Sequence, residues 1–119
     1  MNESHKNDVV RLRHMLDAAR KALQFVDGKS RDSLNNDDML VFALVRAIEI
    51  VGEAAAQISD AYRNTNPQIP WRVIVAMRNR VIHAYFDVDL DIVWDTATMN
   101  LPPLVVELEK LLEQENGPT

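Results

Sequence analysis

The sequence predicts an all-α fold, a bundle of four to five helices. Three observations carry that reading. Apolar residues recur every three or four positions over long stretches, which is the period of a helix with one buried face. Only three Gly and five Pro occur in 119 residues, too few turn residues for a small sandwich or barrel. Hydrophobic residues make up 47% and charged residues 26%, an ordinary globular composition that argues against a disordered chain. The length suits one domain over 1–119, because two domains would each approach the size at which a core becomes marginal.

The first helix is expected from about Asn7 to Asp27. Val9, Leu12, Leu16, Ala19, Leu23 and Val26 form its apolar stripe. Asn7 or Asp8 can cap its start, and Gly28 stands where a left-handed C-terminal cap belongs. Residues 28–36 read as a loop. The second helix is expected from about Asp37 to Tyr62 and is apolar nearly all round, so it is the central one. One narrow polar strip interrupts it: Arg46, Glu49, Glu53 and Gln57, spaced by three and four. Gly52 beside that strip allows another backbone to come close. After the connector 64–70, Pro70 suits the first turn of a third helix, from about Pro70 to Ala84. Residues 87–89 form the next break, and Asp89 can cap a fourth helix from about Leu90 to Met99. Asn100-Leu101-Pro102-Pro103 is expected to interrupt it before a last helix to about Gln114. Residues 1–6 and 116–119 are expected to fray.

Composition also excludes several functions. With no Cys there is no disulfide framework, no Cys-type zinc site and no thiol nucleophile. The three His are too dispersed for a metal site, and no Gly-rich phosphate loop occurs, so neither metal nor cofactor is expected. No apolar run is long enough to span a bilayer, and the polar start reads as neither signal nor transit peptide. A soluble, cytoplasmic protein is expected. The net charge of −5 argues against nucleic acid, but its distribution changes that reading, with the acidic last third read as a solvated helix surface. Residues 87–119 hold eight acids against Lys110 alone, leaving +2, mostly from Arg, on residues 1–86. An RNA-binding face belongs, if anywhere, on the first two thirds.

The third helix carries the chemistry. Trp71, Ile74, Val75, Met77, Val81, Ile82 and Tyr85 fall on one apolar arc, with Arg78 in its middle. A guanidinium there needs an acidic partner or a ligand anion, and Glu49 and Glu53 are the available acids. Asn79 and His83 share another face with Arg72. Each residue also has a simpler role open to it: an interhelix ion pair for Arg78, a cap or packing residue for His83, a core ring for Tyr85.

Arg78-Asn79-x-x-x-His83-x-Tyr85 resembles the Arg-polar-x(n)-His signature of the HEPN superfamily, in the form found in its HepT-like branch. Arg46 to Ala55 resembles the second-helix motif of that branch. Pro67-Gln-Ile-Pro-Trp71 and Val88-Asp-Leu-Asp-Ile-Val-Trp94 resemble its flanking segments. The resemblance covers almost the whole chain. It implies an up-and-down antiparallel bundle that pairs about a two-fold axis. It also implies a metal-independent ribonuclease toxin whose partner is a minimal nucleotidyltransferase antitoxin, able to adenylylate Tyr85. Arg78 and His83 would then be catalytic, with Asn79, Glu49, Glu53 and Arg46 in support. The rival readings are a HEPN dimer that binds nucleotide or RNA without cutting it, and a helical interaction module whose Arg78 pair is purely structural.

Overall fold

The structure is a computed structural model that describes residues 3–87 and 89–116. It is all-helical, with no strand among the described residues. Helix α1 (Glu3–Val26) leads through a 3-10 turn (Arg31–Asn35) to α2 (Asp38–Ala56). A short α3 (Asp60–Thr65) precedes α4 (Trp71–Phe86). Helix α5 (Leu90–Asp95) passes through a π turn (Thr96–Asn100) directly into α6 (Leu101–Asn116). Long helices laid side by side give an elongated body of 48 × 26 × 20 Å.

Cross-helix pairs give the directions. Asp8 near the start of α1 bonds Ser59 just past the end of α2, so these two helices run antiparallel. Phe42 meets Tyr85 while Gly52 meets Arg78, so α2 and α4 also run antiparallel. His5 bonds Glu115, which sets α1 against α6 in the same sense. Helix α2 lies between α1 and α4. Its Leu44, Ile48, Val51 and Ala55 have no exposed surface, as its composition demands.

Several boundaries differ from the pattern-based expectation, each for a physical reason. Helix α1 begins at Glu3 rather than Asn7, held by the His5 Nε2 to Glu115 Oε2 contact at 2.7 Å. Residues 1–2 and 117–119 of the ends expected to fray, and Val88 of the break after α4, lie outside the described residues. Asp8 does not cap α1. It is buried, and its carboxylate accepts from the Ser59 amide at 2.8 Å and the Ser59 hydroxyl at 2.6 Å. The second helix therefore stops at Ala56 instead of running to Tyr62: Ser59 becomes the cap of α3, its hydroxyl accepting from the Tyr62 amide. The 28–36 loop contains a 3-10 turn that buries Leu34, and Gly28 has the expected positive φ of 73°.

Pro102 and Pro103 do not break the last helix. The π turn just before them lets the Leu101 amide reach back to the Thr96 carbonyl. That wider turn accommodates the amides the prolines lack. Asp89 occupies the position preceding α5, but its side chain makes no capping hydrogen bond.

Candidate active site

The polar strip on α2 faces solvent beside α4. Gly52 sets the separation of the two helices there. A Cβ on Gly52 would stand 2.8 Å from the Arg78 Cβ and 3.4 Å from both the Arg78 amide and the Ile74 carbonyl. The bare glycine thus lets α4 rest directly on α2 and seats the root of Arg78 on the contact.

From that root the Arg78 side chain runs outward. The helical wheel put Arg78 inside an apolar arc, but the side chain is 47% exposed. Its stem covers Gly52 and its head stays in water, as long cationic side chains do at the edge of an apolar seam. The acidic partner is Glu53, whose Oε1 lies 3.7 Å from Arg78 Nε and 3.5 Å from Arg46 Nη1. Glu49, the other expected partner, forms no ion pair among the described residues. Both contacts to Glu53 are long and exposed, so their stability contribution is small, about 0–1 kcal/mol. Their effect is to orient two guanidinium groups on one carboxylate.

His83, Asn79 and Arg72 all lie on the exposed ridge of α4 that points away from the core. At 100° per residue they fall within about 40° of one another around the axis. Arg78 and His83, five residues apart, lie about 140° apart around it. A single chain therefore presents the guanidinium on its α2 side and the imidazole on its outer ridge. The Tyr85 ring is half-buried between Phe42, at 5.3 Å, and Phe86, at 5.8 Å between ring centroids. Motif reasoning missed those two phenylalanines. Phe42 is 58% and Phe86 74% exposed, and Met39 beside them on α2 is 83% exposed. The signal was present, because Met39 and Phe42 continue the spacing of Arg46, Glu49 and Glu53 toward the start of α2. The result is an apolar patch contiguous with the charged cluster.

The family model described as "Ribonuclease HepT-like" matches residues 15–111, a span that includes the whole α2–α4 site. The chain belongs to the ribonuclease HepT-like family. Among curated relatives, "Probable ribonuclease HepT" of Thermococcus cleftensis is 34% identical over 93% of this chain and 98% of its own length. "Putative RNase TTE0752" of Caldanaerobacter subterraneus subsp. tengcongensis is 33% identical over 87% of this chain and 93% of its own. No solved structure matches the chain. As a HepT-like chain it has an all-helical fold, and no helix among the described residues is long and apolar enough to cross a membrane.

Proposed function

We propose that this chain is the ribonuclease toxin of a toxin–antitoxin pair, cutting RNA without a metal at an Arg78/His83 site shared across a two-fold dimer. Family membership supports the reaction class. The observation that carries the dimer is the separation of Arg78 and His83 around α4, with one His per protomer on that helix. Cleavage by the 2′-hydroxyl needs a base and an acid, and a two-fold axis beside α4 supplies two imidazoles and two guanidinium groups. The exposed Met39, Phe42 and Phe86 provide the apolar contact such a dimer needs.

In the reaction, one neutral His83 takes the proton of the 2′-hydroxyl, and O2′ attacks the adjacent phosphorus. The P–O5′ bond breaks, and the protonated His83 of the second copy gives its proton to the leaving oxygen. The products are a 2′,3′-cyclic phosphate and a 5′-hydroxyl. Arg78 holds the non-bridging oxygens as charge builds on them, a task suited to a planar fork that stays charged. Glu53 and Arg46 orient Arg78, Glu49 adds negative charge to the same strip, and Asn79 hydrogen-bonds the phosphate or the imidazole. The nucleotidyltransferase partner silences the site by transferring AMP from ATP to the Tyr85 hydroxyl. The phenolic oxygen attacks the α-phosphorus, pyrophosphate leaves, and the phenolic proton goes to solvent. The bulky anion then occupies the place of the RNA phosphate.

The test is incubation of purified protein with labelled RNA in EDTA, with mass analysis of the ends. Cyclic phosphate ends at undiminished rate are expected. Activity that needs added Mg²⁺ or Mn²⁺ would overturn the mechanism. Co-expression with the partner should add AMP to the Tyr85 peptide, and neutralisation with that peptide unmodified would assign the partner a binding role only.

A further inference from the structure

We infer that Arg72 and Arg63 form a distal phosphate subsite for the RNA strand, on the His83 side of α4; this rests on the ribonuclease reading above. Helix α4 carries Arg72, Arg78 and Arg80 and no acid from Trp71 to Phe86, in a chain with 18 acids and 13 Lys and Arg. Some arginines meet carboxylates, as Arg20 meets Glu109 and Arg31 meets Asp91, while Arg11 and Arg80, like Arg72, form no ion pair among the described residues. Arg72 reaches instead toward a hollow of about 530 Å³ where α3, the connector and the first turn of α4 come together.

Arg63 lines the same hollow from α3. Its Nη2 donates to the Ala55 carbonyl at 2.8 Å, which pins the guanidinium against the end of α2. Its Nε is buried without a hydrogen-bond partner among the described residues. That atom is shut off from solvent, so an external anion would be met by the remaining Nη donors of a guanidinium already fixed in place. Asn64 adds an amide to the rim. Trp71 also lines the hollow but is only 7% exposed, so it offers no platform for a base. The subsite therefore reads backbone phosphate and not sequence.

Arg72 and His83 are eleven residues apart, about 16 Å along the helix and about 20° around it. The exposed side chains between them on that line are Ala76 and Asn79, both short, and the Asn79 amide can hydrogen-bond a passing phosphate. At roughly 3.4 Å per stacked nucleotide, 16 Å corresponds to about five nucleotides. Asp60 on the rim of the hollow opposes an anion.

The test uses the full-length dimer carrying His83→Ala, so that RNA survives, and measures fluorescence anisotropy with a trinucleotide and a twelve-nucleotide RNA over a range of salt. Arg72→Ala, a surface change, should weaken the twelve-mer about three- to tenfold and lower the salt slope by about 0.7. It should leave the trinucleotide unchanged. In the active protein the same substitution should raise KM for the long RNA with kcat unchanged, and Asp60→Asn should tighten the twelve-mer. Unchanged twelve-mer affinity in both Arg72→Ala and Arg72→Glu, from a protein that binds and cuts RNA, would overturn the subsite and leave the ribonuclease reading intact. Equal loss for both lengths would move Arg72 into the scissile site and also overturn it. A parent protein that neither binds nor cuts RNA would instead sink the ribonuclease reading itself.

Discussion

In the proposed reaction Arg78 and His83 divide the chemistry by what each side chain can do. Imidazole exchanges a proton near neutral pH, and guanidinium stays charged and binds oxygen pairs. His83→Ala should lower cleavage at least about 10²-fold, the ordinary contribution of a general acid or base. Because His83 is exposed, the helical circular dichroism and melting temperature should hold. An unfolded variant would make His83 a packing residue. Arg78→Lys keeps the charge but loses the bidentate geometry, so activity should fall about tenfold or more. Equal rates for Arg and Lys would mean that the position supplies charge alone. The spacing of these residues was legible in the sequence. The exposure of Arg78 was not, because a helical wheel cannot tell a side chain buried in a seam from one that starts there and leaves.

At the scale of elements the α2–α4 seam decides where the site residues sit. Gly52 is the point of closest approach, and its neighbour Arg78 Cβ is fixed to the α4 backbone, so it cannot swing aside. Gly52→Ala gains about 1 kcal/mol of helix propensity and costs about 1–3 kcal/mol through overpacking. The melting temperature should therefore fall, and cleavage should fall further as Arg78 is displaced. Thermal melts and rates of the same samples check this, and a variant as stable and active as the parent would show that α4 gives way freely. The glycine and its role were readable from its place beside the polar strip. The passage of α5 into α6 through Pro102 and Pro103 was not, since a π turn is a response of the backbone that no local residue pattern announces.

The whole molecule adds two consequences. The Met39, Phe42 and Phe86 patch is exposed in the protomer, so charging it should leave the fold intact. Phe42→Asp is expected to turn the proposed dimer into a monomer, read by sedimentation, and to abolish cleavage with His83 in place. A monomeric parent that cuts RNA at the same rate would remove the shared site. The second consequence lies at the far end, where the buried Tyr62 phenol is pushed up from 10.0 to about 12, first by burial and then by Glu115 and Asp8. The unfolded chain loses this proton first as pH rises. The stabilisation is therefore complete below pH 10 and disappears as pH rises through about 12. Melting temperatures across that window should drop steeply in the parent and less in Tyr62→Phe.

Helix content, the central place of α2, the Gly28 and Gly52 positions and the order Arg78, Asn79, His83, Tyr85 could all be read from residues close together in the chain. Local sequence suffices for these because they depend on period, on a single backbone conformation or on spacing within one helix. Choosing Glu53 over Glu49 as the partner of Arg78 required the register of α2 on α4. The recruitment of Asp8 to Ser59, which ends the second helix early, joins positions that lie far apart along the chain. The hollow shared by Arg63 and Arg72 exists only because a short α3 folds back beside the start of α4. Each of these depends on packing between elements, and such packing is set by the sum of contacts over the whole core, not by any one segment.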